Sequence, residues 1–125
     1  LQKQSEVAWV NYPGLTSSKY YDLAQHYLPE GQSGVVTFGL KSGFEGAKKV
    51  ADGTKLFALV ANIGDTKSLI IHPASTTHQQ LSEAQQISTG VSKDLIRLSV
   101  GLEDVEDLKA DLKAVFENIP VQNRV

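Results

Sequence analysis

The apolar positions of the chain follow two spacings, which predict β-strands alternating with α-helices. Five short runs are rich in β-branched and aromatic residues, a composition typical of strands. Between and after these runs, apolar residues recur three or four positions apart, as in a helix that packs through one face. The predicted strands cover residues 7–12, 33–40, 56–61, 68–72 and 95–100.

Serine residues mark the start of two predicted helices. Ser42 with Glu45, and Ser82 with Gln85, have the spacing of a capping box, in which each side chain bonds the other residue's backbone N–H. The last helix opens with several acidic residues, an order that the helix dipole favours. Apolar residues form a stripe along one side of two of these helices: Tyr20, Leu23, Ala24, Tyr27 and Leu28 on the first and Val105, Leu108, Leu112, Val115 and Ile119 on the last.

Several connections between the predicted strands are too short to hold a crossover helix. Residues 63–67, for example, can join neighbouring antiparallel strands. The sequence therefore predicts an α+β domain, with a mostly antiparallel sheet of four or five strands and helices packed on one face. We expect residues 1–117 to form this domain and residues 118–125 to be a frayed tail.

Composition and charge exclude several classes of protein. Twelve basic and fourteen acidic residues give a net charge of −2, which argues against a nucleic-acid or polybasic membrane-binding role. No apolar run approaches the roughly 20 residues of a membrane span. The absence of cysteine excludes disulfides and thiol chemistry, and it fits a cytoplasmic location. The absence of methionine predicts that the chain is a piece of a longer product.

Arg97 stands on a strand whose other residues are mostly apolar. Alternation along this strand places Arg97 and Ser99 on one face and Ile96, Leu98 and Val100 on the other. A guanidinium on such a strand needs an anion, because an unpaired buried charge costs several kcal/mol. That anion is either an internal carboxylate, in a structural salt bridge, or the carboxylate of a ligand, which the planar fork binds bidentately.

Two loops at strand ends offer polar groups. Asn62 opens the loop 62–65, where it either presents an amide to a ligand or forms an ordinary Asx turn. The loop 73–78, which contains Thr77, is rich in hydroxyl groups that either bind a ligand or cap backbone groups. The histidines lack metal-site spacing, and the chain has neither a nucleophilic-serine elbow nor a nucleotide-binding glycine motif.

Three sequence blocks are much more specific when read together. They are VAWVNYPGL at 7–15, ANIGDTKSLIIHPASTTH at 61–78 and DLIRLSVGLED at 94–104. In this order they closely resemble the C-terminal part of the Cys/Met-metabolism family of pyridoxal-phosphate enzymes. Within the family, the chain looks most like the O-acetylhomoserine sulfhydrylases, because the lyase and cystathionine branches usually carry Ser at the position of Asn62.

The resemblance implies a function for several residues. The chain would be the C-terminal small domain of a fold-type I pyridoxal-phosphate transferase that acts on O-acetylhomoserine in homocysteine and methionine biosynthesis. Arg97 would hold the α-carboxylate of the amino-acid substrate, Asn62 would contact the same carboxylate, and Thr77 would lie near the substrate pocket. The parent enzyme would be a homotetramer.

The departures from the family pattern are equally informative. The family's Schiff-base lysine follows a Ser-x-Thr pair, and this chain contains no such motif. The phosphate-binding loop and the aspartate that pairs with the pyridine nitrogen are also absent. We therefore expect a missing cofactor-binding domain upstream, no catalytic, cofactor-binding or metal-binding residue within this chain, and no activity of the isolated chain.

Other interpretations of the sequence remain. The chain is alternatively a fragment of a related methionine or cystathionine γ-lyase or γ-synthase, a free-standing carboxylate-binding module, or a structural domain in which Arg97 is paired internally. If a partner domain is missing, its removal should expose a contiguous apolar patch. The expected patch surrounds Ile63, Leu69, Ile71 and the loop at Pro73.

Overall fold

One five-stranded sheet organises the computed structural model, which describes residues 1–119. The strands lie in the order β1-β2-β5-β4-β3, and every neighbouring pair is antiparallel except β3–β4. The predicted α+β class with a mostly antiparallel sheet is confirmed. The elements are β1 (Val7–Asn11), α1 (Tyr21–Tyr27), β2 (Val35–Leu40), α2 (Gly43–Gly53), β3 (Ala58–Leu59), β4 (Leu69–Ile71), a 3-10 turn (Pro73–Ser75), α3 (Glu83–Ser88), β5 (Leu95–Ser99) and α4 (Val105–Glu117).

The hydrophobic core lies between one face of the sheet and the helices α2 and α4. Phe38 on β2 pairs with Ile96 on β5, and both side chains are fully buried. Full burial of one large apolar side chain contributes roughly 1.5–3 kcal/mol, so this layer dominates the stability. The helices on one face are thus confirmed. Their buried core residues are Ala47, Val50 and Ala51 on α2 and Leu108, Leu112, Val115 and Phe116 on α4.

The two predicted capping boxes have opposite outcomes. At α3 the box is formed: the Ser82 hydroxyl accepts from the Gln85 N–H at 3.3 Å, and the Gln85 side chain accepts from the Ser82 N–H at 2.9 Å. At α2 the prediction is wrong, because the Ser42 side chain makes no capping bond. Gly43 has a positive φ of 67°, a conformation available mainly to glycine, and it changes the direction in which the chain enters the helix.

The connection from β3 to β4 differs from the prediction. Residues 63–67 were expected to join antiparallel strands, but β3 and β4 are parallel, with Ala58 opposite Leu69. Because β3 has only two residues, an extended connection is long enough to return the chain without a crossover helix. β4 then lies between two strands and is buried on both faces. The apolar patch expected at Leu69, Ile71 and Pro73 is therefore wrong, although Ile63 is exposed.

The apolar side of α1 is largely exposed. Only Ala24 is buried, because α1 follows the edge strand β1 and the described elements cover little of the helix. On α4 the predicted stripe is buried, apart from the exposed Val105. The exposed members of the α1 stripe are Tyr20, Leu23, Tyr27 and Leu28.

Two loop segments are tied to the rest of the chain by partly buried polar side chains. The Asp111 carboxylate on α4 accepts hydrogen bonds from three consecutive backbone N–H groups, those of Lys55, Leu56 and Phe57, at 2.8–3.0 Å. The indole N–H of Trp9 donates to the Asp94 carboxylate at 2.9 Å and joins β1 to the loop before β5. These bonds fix connections that hydrophobic packing alone would leave variable.

The C-terminal end of the described chain is ordered by α4. The predicted tail covers residues 118–125. Of these, the Asn118 N–H bonds the last turn of the helix, Ile119 is buried in the core, and residues 120–125 lie outside the described residues. Among the described helices, none has both the length and the apolar character needed to cross a membrane.

Candidate carboxylate-binding site

Arg97 occupies the middle of β5, on the face of the sheet opposite the core, where the sequence predicted it. Its neighbours across the sheet are Thr37 on β2 and Ile71 on β4, and both are uncharged. The side chain is half-buried. No described carboxylate pairs with the guanidinium; the ion pairs in residues 1–119 are Lys93–Glu83 and Lys109–Glu106. The described residues therefore offer no internal salt bridge for Arg97, and its fork is available to an external anion.

The loop that begins at Asn62 lies against the same strand as Arg97. The N–H of Gly64 donates to the hydroxyl of Ser99 at 3.3 Å, two residues from Arg97 on the same face of β5. Asn62 is exposed, and its side-chain oxygen accepts from the neighbouring Ile63 N–H at 2.9 Å. With that oxygen engaged, the amide NH2 group of Asn62 is the part of the side chain that can donate to a ligand carboxylate.

The loop 73–78 starts beside Arg97, after Ile71, but most of its hydroxyl groups serve the loop itself. The Ser75 hydroxyl lies 2.7 Å from Nδ1 of the fully buried His72, and the Thr76 hydroxyl donates to the His72 carbonyl at 2.8 Å. Thr77 is exposed, and its hydroxyl lies 2.8 Å from Nδ1 of His78. Backbone capping is therefore the use of Thr76, whereas the pocket-lining role of Thr77 stays a prediction.

A second set of contacts, between residues 99–103 and the chain before β4, was not predicted. The Glu103 carboxylate accepts from the Ser68 hydroxyl at 2.7 Å and from the Ser68 N–H at 2.8 Å. These bonds, the hydroxyl bond first, lower the pKa of Glu103 below its ordinary value of 4.5. In the sequence, Glu103 is one of several acids before the last helix, and nothing in its spacing connects it to Ser68.

The lowered pKa predicts that the Glu103 bond is lost in acid. Stability from a carboxylate whose folded-state pKa is depressed is fully present above its unfolded pKa and is lost as the pH falls through the folded-state pKa. We expect the E103Q variant to be less stable than the wild type at neutral pH and the difference to shrink below pH 4.5. Urea unfolding, monitored by the fluorescence of Trp9, measures this difference in stability at each pH. A difference that is constant from neutral to acid pH would contradict the assignment.

The described residues do not fit a pyridoxal-phosphate site on their own. A lysine that forms a Schiff base is activated by desolvation or by a neighbouring cation. Every lysine of this chain is exposed. Nor do the residues from 1 to 119 contain a group of three or more potential metal-ligating His, Cys, Asp or Glu side chains. What they offer is one half-buried arginine and a nearby loop with an amide donor.

Comparison with known proteins shows the family to which the chain belongs. The family model for Cys/Met metabolism PLP-dependent enzymes matches residues 1–117. The chain belongs to this family. Among curated relatives, an O-acetyl-L-homoserine sulfhydrylase of Leptospira meyeri is 54% identical over 95% of the chain, and O-acetyl-L-homoserine sulfhydrylase 1 of Thermus thermophilus is 56% identical over 90%. The family resemblance carried by the three sequence blocks is confirmed.

Solved structures of the family share the fold. One is the crystal structure of a Campylobacter jejuni protein described as an O-acetylhomoserine (thiol)-lyase, which contains N′-pyridoxyl-lysine-5′-monophosphate. It superposes on this chain with a TM-score of 0.86 and is 47% identical in sequence. The match covers 94% of this chain and 28% of the Campylobacter jejuni chain. A Xanthomonas oryzae cystathionine gamma synthase superposes with a TM-score of 0.84 at 34% sequence identity, and the match covers 94% of this chain and 30% of the synthase chain. The chain spans 27% of the length of each curated relative named above. The family is pyridoxal-phosphate-dependent.

Proposed function

We propose that residues 1–117 are the C-terminal domain of an O-acetylhomoserine sulfhydrylase and that Arg97 binds the α-carboxylate of the substrate. The observation that carries the proposal is the half-buried guanidinium between Thr37 and Ile71, with no described carboxylate paired to it. The identities of 54% and 56% to two O-acetyl-L-homoserine sulfhydrylases support this reaction over the others in the family.

The reaction is the replacement of an acetate group by sulfur. A sulfide or thiol nucleophile forms a bond to the γ-carbon of O-acetylhomoserine, the bond between that carbon and the acetate oxygen breaks, and acetate leaves. With sulfide as the nucleophile the product is homocysteine. The cofactor and its lysine belong, in this proposal, to a domain outside this chain, because the described residues do not supply them.

The residues of this chain bind and orient the amino acid. The planar guanidinium of Arg97 donates two parallel hydrogen bonds to the α-carboxylate, which fixes both the position and the plane of that group. Asn62 donates a further bond from the loop above Ser99, and Thr77 lines the pocket from the loop after β4. Fixing the carboxylate lowers the entropic cost of placing the reacting carbons correctly.

Two alternatives make different predictions. A cystathionine γ-synthase or γ-lyase would share the carboxylate site, but the cystathionine gamma synthase match is only 34% identical. A free-standing carboxylate-binding module would use Arg97 without any cofactor. The reading frame upstream of Leu1 separates the binding module from the enzymes, because an enzyme requires a continuation that contains the Ser-x-Thr-Lys motif.

The full-length protein tests the proposed reaction directly. We expect it, when purified with pyridoxal phosphate, to release acetate from O-acetylhomoserine with sulfide and to produce homocysteine. Replacing sulfide by cysteine tests for cystathionine synthesis, and cystathionine as the sole substrate tests for the lyase reaction. Faster turnover in either of these assays than with sulfide would replace the sulfhydrylase assignment.

The same proposal includes a cytoplasmic location and a homotetrameric parent enzyme. Sedimentation velocity of the full-length protein measures the number of subunits, and fractionation of the source cells measures the location. A monomer at micromolar concentration would exclude the tetramer while leaving the carboxylate site untouched.

The isolated chain is expected to lack a specific cofactor site. Because all its lysines are exposed, borohydride reduction in the presence of pyridoxal phosphate should give only scattered, substoichiometric labelling of lysines. Mass spectrometry of peptides gives the occupancy of each lysine. Stoichiometric labelling of a single lysine would contradict the prediction and would show that this chain carries a cofactor site.

A further inference from the structure

The loop from Asn62 to Lys67 is held by one neighbouring segment, residues 99–103. Every residue of the loop is exposed, so hydrophobic burial does not fix it. Instead, three points along the chain are bonded to the segment in order. The Gly64 N–H donates to Ser99, the Thr66 carbonyl accepts from the Leu102 N–H at 2.8 Å, and Ser68 bonds Glu103.

The approach of the two segments is close and depends on side chains as well as backbone. A side chain at Gly101 would collide with the backbone at Thr66, so the loop can rest directly on the segment only with glycine there. The hydroxyl of Ser68, which is fully buried, accepts from the Gly101 N–H at 2.7 Å while donating to Glu103. The network is therefore a continuous set of satisfied bonds between the two segments.

This arrangement joins both proposed carboxylate-binding groups to one stretch of chain. Arg97 and Ser99 both lie on β5, and Glu103 follows four residues after the end of this strand. Ser99 and Glu103 hold the loop that contains Asn62. We propose that Ser99 and Glu103 are positioning residues, which set where Asn62 stands relative to Arg97 and so set the affinity for the substrate carboxylate. The inference rests on the proposed function.

Kinetics of the full-length protein test this role. The S99A variant removes the bond to Gly64, and a misplaced Asn62 weakens binding of substrate and transition state alike, so KM for O-acetylhomoserine should rise about three- to tenfold with kcat within twofold. The S99T variant, which keeps a hydroxyl, should restore most of the affinity. In an N62A background, S99A should add little, because its effect passes through Asn62.

Hydrogen exchange of the full-length protein tests the tether without any enzyme assay. Amide exchange at Gly64 and Lys67 should accelerate at least threefold in S99A and in E103Q. The matched control is E106Q, which removes an exposed carboxylate bonded, within residues 1–119, only to Lys109, and it should leave the loop unchanged.

The outcomes separate the two claims. Inactivity of the wild-type protein with O-acetylhomoserine and sulfide would overturn the proposed function, and this inference with it. If the wild type is active and S99A leaves KM unchanged, the positioning role alone is overturned. The same holds if S99A raises KM by the same factor in the wild type and in the N62A background. Unchanged exchange at Gly64 in both variants would also overturn it, because the loop would then be held by other contacts.

Discussion

Replacing Arg97 by lysine in the full-length protein is expected to lower kcat/KM for O-acetylhomoserine about 30- to 100-fold. A lysine keeps the positive charge but has no fork, so it cannot donate two parallel bonds to one carboxylate. Loss of a charge-assisted hydrogen bond to a ligand costs about 2–3 kcal/mol, and each 1.4 kcal/mol is a factor of ten. Steady-state kinetics with sulfide in excess measure the change.

The same substitution should hardly affect the fold. Because no described carboxylate pairs with Arg97, R97K breaks no internal ion pair within residues 1–119, and the unfolding midpoint should stay within a few degrees of the wild type. K93Q is the matched control: it removes an exposed cation just before β5 that, among the described residues, pairs only with Glu83. Full activity in R97K would overturn the carboxylate-binding role, whereas a large loss of stability would show that Arg97 is structural.

The sequence alone was sufficient to predict those features of the fold and of the site that depend on local periodicity. Alternation along β5 placed Arg97 and Ser99 opposite the core, and the buried Ile96 and Leu98 show that the period of two is kept. The spacing of Ser82 and Gln85 gave a correct helix start, because a capping box involves only residues within one turn. The family was also recognisable from three blocks of sequence.

The sequence was insufficient where partners are distant or where burial depends on neighbouring elements. Ser68 and Glu103 are 35 residues apart, so no local pattern predicts their bond. The apolar run of β4 does not reveal that both of its faces are buried, since this depends on segments distant in sequence that cover each face of the sheet. The stripe on α1 indicates an apolar face but not whether anything covers it.

Replacing Asp111 by alanine is expected to destabilise the chain by about 2–4 kcal/mol. The carboxylate satisfies three backbone N–H groups in residues 55–57, and the segment lies before β3, with the Phe57 side chain buried. The N–H of the exposed Lys55 can be hydrated once the carboxylate is gone, but the other two lie in partly buried surroundings and lose their acceptor. Domains are stable by only about 5–15 kcal/mol, so this is a large fraction.

Two further variants make the Asp111 result specific. D111N keeps one acceptor oxygen but turns an NH2 group toward backbone donors, so its loss of stability should lie between the wild type and D111A, and it remains measurable if D111A does not fold. E117A, an exposed acid on the last turn of the same helix, should change stability little. Urea unfolding of the 125-residue chain gives all three values. If D111A and E117A were equally stable, the three bonds would contribute nothing, and α4 would be held to the sheet by its apolar face alone.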